Sequence, residues 1–162
     1  MKKIITTIAT LLVLSATSAY ANDPKVAIAA LDARLAKIGE PRLEGTDKSG
    51  ELTVPGMYFG TRKINNNFDV VDEIKKTTGA SATIFVKHGD DYVRVSTNVL
   101  TLEGKRGVGT LLARAKVYES INKGEQYCGP ADILGTAFDT CYNPIKDKGG
   151  KIIGISLTGF KK

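Results

Sequence analysis

The sequence has few of the residues on which most catalytic and metal sites are built. It contains one histidine, His88, two cysteines and no tryptophan in 162 residues. The patterns G-x-S-x-G, H-E-x-x-H and C-x-x-C do not occur in it, so the common nucleophile, zinc and redox arrangements have no candidate. We therefore predict that the chain is not an enzyme and carries no cofactor or metal. His88 is interpreted as a polar turn residue beside Asp90 and Asp91.

A long hydrophobic run is also missing after residue 21, so no later segment is predicted to span a membrane. The N-terminus differs, because Lys2 and Lys3 precede an apolar stretch at residues 4–13 and the small-residue sequence Ala19-Tyr20-Ala21 follows. This order is typical of a secretory signal peptide; a structural helix or a membrane anchor is the alternative. We predict cleavage after Ala21, a periplasmic location and one domain at residues 22–162.

Charge of one sign is not concentrated in the sequence. Lys and Arg number 23 against 17 Asp and Glu, and the basic residues occur singly or in pairs. A nucleic-acid surface usually needs a denser basic run or an aromatic ladder. We therefore predict no nucleic-acid partner.

The two cysteines lie in a pattern that predicts a β-hairpin. Gly135 separates two alternating runs, at residues 126–134 and 136–145. A turn centred on Leu134 and Gly135 places Cys128 opposite Cys141, and directly opposite cysteines on antiparallel strands can bridge. In an exported protein a pair of cysteines usually forms one disulfide, so we predict the bond Cys128–Cys141.

The rest of the chain is predicted to contain helices followed by strands. Asp23 and Pro24 form a helix start, apolar residues then recur at helical spacing, and Gly39 ends the helix. The apolar stripe of this helix can pack on its own domain or on a second copy. The further expected elements are a short strand, a helix at 68–78, strands at 82–87 and 92–100, a helix at 111–122, and a last strand at 151–157. This order predicts an α+β domain with an antiparallel sheet.

Alternation along the strands predicts which side chains share a face. On the strand at 92–100, Arg94, Ser96 and Asn98 fall on the face opposite a row of valines. On the cysteine hairpin, the same alternation places Tyr127 and residues 129, 131 and 133 with Phe138 and Tyr142. The second face is therefore expected to be aromatic, with small residues between the rings.

Several sequence motifs together resemble the single Cache domain. They are GASATIF at 79–85, YVRVSTN at 92–98, GKRGVGT at 104–110 and YNPI at 142–145. The resemblance covers roughly residues 52–159 and is to the Cache 3 and Cache 2-like extracytoplasmic sensors of bacterial chemoreceptors and histidine kinases. It implies a PAS-like fold, in which an N-terminal helix packs on a central antiparallel sheet of about five to six strands. The small-molecule pocket is then expected on the other side of the sheet.

The resemblance also implies a binding function. Related domains take small organic ligands, carboxylates prominent among them, and act in chemotaxis or signal transduction. This chain is expected to be a free-standing periplasmic form that works through a membrane chemoreceptor or kinase, as a monomer or weak homodimer. Phe138 stands where the family often has Tyr, and Asn143 where it often has Glu, so ligand specificity does not transfer directly.

A pocket for a small carboxylate needs a cation and several neutral donors on a concave, otherwise apolar surface. The candidates are Arg94, Ser96, Asn98, Tyr127 and Tyr142, with Lys87, Arg106, Thr110 and Phe138 as further members. Arg94 in a surface ion pair, Arg106 in a solvated loop, and tyrosines that only fill the core are the alternatives.

A second hypothesis is a Cache-fold interaction module without a ligand, which would bind a partner through the first helix or an exposed edge strand. An open, charged pocket around Arg94 favours the sensor. A pocket filled by Phe138, Tyr127 and Tyr142 favours the interaction module.

Overall fold

The computed structural model describes residues 22–162, so the predicted signal peptide lies outside the described residues. Within that range the chain forms three helices and eight strands. They are α1 (Pro24–Ile38), β1 (Pro41–Ser49), β2 (Leu52–Phe59), β3 (Arg62–Lys63), α2 (Asp69–Thr78), β4 (Ser81–His88), β5 (Asp91–Thr97), α3 (Lys116–Asn122), β6 (Tyr127–Ile133), β7 (Thr136–Lys146) and β8 (Ile152–Lys161). The α+β class predicted from the sequence is confirmed.

The main sheet has five antiparallel strands in the order β5-β4-β8-β7-β6. Because side chains alternate across a strand, it has two apolar faces. One face carries Ile84 and Val86 and packs against α1, α2 and β2. The other face carries Phe85 and Ile155 and packs against α3. We call them the α1 face and the α3 face.

Helix α1 begins and ends where the sequence predicts. The Asp23 carboxylate accepts a hydrogen bond from the Lys25 amide at 2.8 Å, which caps the first turn, and the helix ends before Gly39. Its stripe, which includes Ile28, Leu31 and Leu35, is buried in the core of the α1 face. The apolar side of α1 is thus used within its own domain.

Asp32 of α1 forms hydrogen bonds to the sheet inside this apolar interface. Its Oδ1 accepts a hydrogen bond from the Ser156 hydroxyl at 2.6 Å, and its Oδ2 accepts one from the Asn143 side-chain amide. Burial raises the pKa of this carboxyl because it disfavours the charged form, and the two hydrogen bonds offset this only in part. The ionised group therefore costs the folded state some stability.

We expect Asp32→Asn to remove one component of the pH dependence of stability. Because the pKa is raised on folding, the bound proton stabilises the fold below the ordinary aspartate pKa of about 3.9, and this stabilisation is lost as pH rises through the higher folded-state pKa. Urea unfolding at a series of pH values should show the wild type losing stability relative to the variant as pH rises. Asp90→Asn, in an exposed turn, is the control. Parallel stability curves for wild type and Asp32→Asn would contradict the expectation.

Strands β1, β2 and β3 form a separate three-stranded antiparallel sheet, where the sequence predicted a single short strand. Most of β1 is exposed, and its polar residues show no alternation of buried and exposed positions. A strand with polar residues on both sides gives no period-two hydrophobic signal. Strand β2 supplies Val54, Met57 and Phe59 to the core of the α1 face.

The alternation predicted for β5 breaks at a β-bulge. Ile84 of β4 lies opposite Ser96, but the next residue, Phe85, lies opposite Arg94, so Val95 is the extra residue. Ser96 is thereby turned to the α1 face with Ile84, whereas Arg94 stays on the α3 face with Phe85. The prediction of one polar face along this strand is wrong.

The cysteine hairpin has the predicted register. Leu134 and Gly135 form a two-residue turn with φ values of 54° and 83°, as type I′ hairpin turns require. Cys128 lies opposite Cys141, with 4.1 Å between their Cα atoms, and the predicted disulfide is present.

Residues 109–112 run antiparallel along the outer edge of β5. The Arg94 amide donates to the Thr110 carbonyl oxygen at 2.9 Å, and the Leu112 amide donates to the Tyr92 carbonyl oxygen at 2.9 Å. These hydrogen bonds hold an extended backbone, so α3 begins at Lys116 and the prediction of a helix from residue 111 is wrong. We call residues 109–112 the edge segment. Within residues 22–162 there is no helix with the length and apolar character needed to cross a bilayer.

Candidate ligand-binding site

The α3 face of the sheet contains a cavity of about 500 Å³, a volume ordinary for small-molecule sites. Its wall is built from β5, the edge segment, the start of α3 and the cysteine hairpin. The lining residues are Arg94, Leu111, Leu112, Ala113, Ala115, Lys116, Val117, Tyr127, Pro130, Ala131, Asp132, Ile133, Leu134 and Tyr142. We call it the Arg94 cavity.

Arg94 is held in the cavity wall by its backbone and its side chain. Its carbonyl oxygen accepts hydrogen bonds from the Gly109 amide at 2.8 Å and from the buried Ser49 hydroxyl at 2.9 Å. The guanidinium lies over the Phe85 ring, 4.7 Å from its centroid, and Nη1 donates to the Thr110 hydroxyl. Thr110 therefore does not line the cavity itself but holds the guanidinium of Arg94, which does.

The charge of Arg94 is not balanced within the described chain. The residue is 3% exposed, and no ion pair joins it to any described carboxylate. Its Nε is buried without a hydrogen-bond partner among residues 22–162. Burial lowers the pKa of Arg94 to about 10, which still leaves it protonated at neutral pH. A buried cation with a free donor is costly unless an anion pairs with it.

Two tyrosines form the aromatic part of the wall. Tyr142 is buried, and burial raises the pKa of its hydroxyl to about 12 although the Arg94 charge acts in the opposite direction. It therefore stays neutral and is available as a hydrogen-bonding group. The Tyr127 ring meets it edge-on at 6.1 Å between centroids, and the Tyr127 hydroxyl donates to the Pro130 carbonyl oxygen at 3.1 Å.

Two predicted ligand residues lie away from the Arg94 cavity. The Ser96 hydroxyl donates to the Asn67 carbonyl oxygen at 2.6 Å. The Asn98 side chain accepts from the Ala82 amide at 2.8 Å and donates to the Val71 carbonyl oxygen at 2.6 Å. Both side chains thus satisfy backbone groups beside α2, and the β5 bulge is the reason that they do not join Arg94.

Three other predicted residues also lie outside the cavity wall. Arg106 forms a bidentate ion pair with Asp72 of α2, at 2.8 and 2.9 Å, and stacks on the Phe68 ring. Lys87 lies over the Tyr92 ring at 4.8 Å and donates to its hydroxyl at 3.3 Å. Phe138 is buried in the core of the α3 face and lines a smaller cavity with Asn98.

The part of the wall between the Gly-rich connection and α3 is not predicted from the sequence. The pattern of Leu111, Leu112 and Ala113 favours a helix, and it therefore gives no sign that these residues line a cavity. Ala131 and Ile133 carried a usable signal, because the predicted register places them on the same hairpin face as Tyr127 and Tyr142.

The part of the chain that the structure describes contains no cluster of metal-binding side chains. No group of three or more His, Cys, Asp or Glu side chains lies close enough together there to hold a metal ion. The Arg94 cavity offers one buried cation, phenolic hydroxyls and apolar walls, with the charged Lys116 and Asp132 exposed. This set suits binding of an organic anion.

The chain matches the family model of the Cache 3/Cache 2 fusion domain over residues 14–162. No curated protein matches it. Cache domains are extracytoplasmic sensory modules that bind small ligands and typically belong to membrane receptors. The match agrees with the α+β fold, the N-terminal helix packed on the sheet and the cavity on the opposite face. The chain therefore belongs to the Cache 3/Cache 2 fusion domain family.

Proposed function

We propose that this protein is a periplasmic sensor, exported by a signal peptide cleaved after Ala21, which binds a small organic carboxylate in the Arg94 cavity. The bound state would be presented to a membrane chemoreceptor or histidine kinase. The protein is thus a binding protein and not an enzyme. Its family supports the sensory part of this proposal, and the cavity supports the choice of ligand.

The observation that carries the proposal is the buried, unbalanced Arg94 guanidinium. Folding removes this cation from water, yet within residues 22–162 no carboxylate neutralises it and its Nε has no hydrogen-bond partner. An incoming carboxylate would supply both the opposite charge and the missing acceptors, in a bidentate geometry that guanidinium groups favour. The cost of burying the charge in the free protein would then be recovered on binding.

The proposal of a ligand-free interaction module has less support. The rings that were expected to fill the pocket in that case are Phe138, Tyr127 and Tyr142. Phe138 packs outside the Arg94 cavity, and the two tyrosines line it without filling it. Helix α1 uses its apolar side inside the domain, which removes one of the two surfaces proposed for binding a partner. The other, an exposed edge strand, is left at β6, which pairs with β7 alone among the described strands.

The test is thermal unfolding and calorimetric titration of the purified protein with a panel of carboxylates, amines, neutral amides and sugars. A ligand at 100 times its dissociation constant should stabilise the fold by about 2.7 kcal/mol. We expect carboxylates to be the stabilising class. Stabilisation by amines or sugars alone would contradict the assignment of Arg94 as the charge anchor.

Arg94→Met should weaken carboxylate binding by about ten- to a hundredfold, because a hydrogen bond to a charged group is worth about 1.5–3 kcal/mol. The unliganded variant should remain folded, since methionine fills a similar space without a buried charge. Arg114→Met is the matched control, because Arg114 is an exposed arginine paired with Asp91. Equal affinity of the wild type and Arg94→Met would exclude Arg94 as the anchor.

A further inference from the structure

The Arg94 cavity has one charged group in its interior. Its two other charged lining residues, Lys116 and Asp132, are exposed at the rim and have opposite signs. The Asp132 Oδ1 already accepts a hydrogen bond from the Gly135 amide at 2.9 Å in the hairpin turn. An amino acid would bring an ammonium group with no interior anion to meet it, and a dicarboxylate would bring a second charge with no interior cation. The interior therefore matches a ligand with one negative group.

The rest of the lining is mainly apolar. Leu112, Val117 and Ile133 are buried within it, and the other apolar members are Leu111, Ala113, Ala115, Pro130, Ala131 and Leu134. A polyhydroxylated ligand would lose hydrogen bonds to water here without gaining equivalent partners. A hydrocarbon body would instead gain from burial in proportion to its apolar area.

This apolar lining continues out of the cavity. Leu111 lines the cavity and is 49% exposed, so it lies where the cavity meets solvent. Leu134 also lines the cavity, with its side chain beside Gly107 and near Arg94. Leu102, which is 85% exposed, packs beside the neighbouring turn residue: a Cβ on Gly135 would lie 3.6 Å from Leu102 Cδ1. Exposed apolar side chains at a cavity mouth are typical of a binding site.

We infer that the cavity selects amphipathic monocarboxylates, with the carboxylate at Arg94 and a hydrocarbon chain of medium length that runs along the apolar wall towards Leu111. This inference rests on the proposed function, because it specifies the ligand class of the same site. Linear saturated acids are its simplest probes.

The experiment is a titration of the purified protein with butyrate, hexanoate, octanoate and decanoate, each below the concentration at which it forms micelles. Affinity should rise by about fourfold for each added methylene until the apolar wall is covered, and then level off. Octanamide, suberate and 2-aminooctanoate test the charge rule, and each should bind more weakly than octanoate. Arg94→Met should weaken the binding of octanoate by about ten- to a hundredfold, as for any carboxylate held by Arg94.

Leu111→Ser tests the predicted path of the chain. It should reduce the affinity for octanoate several-fold and the affinity for butyrate by a clearly smaller factor. Leu43→Ser is the matched control, since Leu43 is a partly exposed leucine of β1 that does not line the cavity. Equal affinity of Leu111→Ser and wild type for octanoate would overturn this path.

The outcomes separate this inference from the proposed function. If short acids bind through Arg94 as tightly as octanoate, or if suberate or 2-aminooctanoate binds more tightly through Arg94, the site is an anion site but the inference is wrong. If the neutral octanamide binds more tightly than octanoate, Arg94 is not a charge anchor, and the proposed function fails with the inference. If no carboxylate binds in a way that depends on Arg94, the proposed function fails and the inference fails with it.

Discussion

Reduction of the Cys128–Cys141 disulfide is expected to lower the free energy of unfolding by about 3 kcal/mol, the value typical of a bond that closes a loop of this length. The two cysteines are 13 residues apart and join β6 to β7. Strand β6 pairs with β7 on one side, and no other described strand pairs with its outer side. The disulfide therefore adds a second covalent link, besides the hairpin turn, to the strand that forms one side of the cavity wall.

Chemical denaturation with and without dithiothreitol measures this loss. The variant Cys128→Ser/Cys141→Ala should show the stability of the reduced wild type; alanine is chosen at position 141 because Cys141 is fully buried and a buried serine hydroxyl would add its own cost. The reductant should not change the stability of this variant. A reduced wild type as stable as the oxidised protein would show that the noncovalent contacts of β6 are sufficient.

The second large effect is expected for Leu31→Ala in α1, with a loss of about 3–4 kcal/mol in the free energy of unfolding. Leu31 is fully buried between α1 and the α1 face of the sheet. Truncation removes apolar burial and leaves a cavity that rigid neighbouring strands can fill only in part. Urea unfolding of the variant and the wild type gives the difference directly.

Val26→Ala provides the control for Leu31→Ala. Val26 lies on the same helix but is 43% exposed, so its truncation should change stability by less than about 0.5 kcal/mol.

The midpoint of wild-type unfolding should also be independent of protein concentration, because α1 packs within its own domain. A midpoint that rises with concentration would mean that a second copy contributes to the stability of the fold.

Elements with a strong local signal could be predicted from the sequence. The cysteine hairpin is the clearest case, since Leu134 and Gly135 occupy a turn that admits positive φ, and the turn then determines every pair up to Cys128 and Cys141. Helix α1 likewise has a cap, a spaced apolar stripe and a glycine stop. The sequence also indicated three cavity residues, namely Arg94, Tyr127 and Tyr142.

Features that depend on partners distant in the chain could not be predicted. The bulge at Val95 arises from the pairing of β5 with β4, and alternation within β5 alone gives no sign of it. The extended backbone of the edge segment depends on hydrogen bonds to β5, although its leucines fit a helix equally well. The polar strand β1 is held by pairing with β2. In each case tertiary hydrogen bonding overrides the local pattern.

The two edges of the main sheet differ in how readily they could pair with a strand of another molecule. At β5, the edge segment already binds the outward amide and carbonyl of Arg94 and the outward carbonyl of Tyr92. At β6, the short Cα distance between Cys128 and Cys141 marks a non-hydrogen-bonded pair, so Cys128, Pro130 and Asp132 direct their backbone groups away from β7. Proline has no amide hydrogen to offer a foreign strand. Unpaired edge strands are the places where β-sheet proteins pair edge to edge and aggregate. In this sheet the β5 edge is occupied by the edge segment, and the β6 edge lacks an amide donor at Pro130.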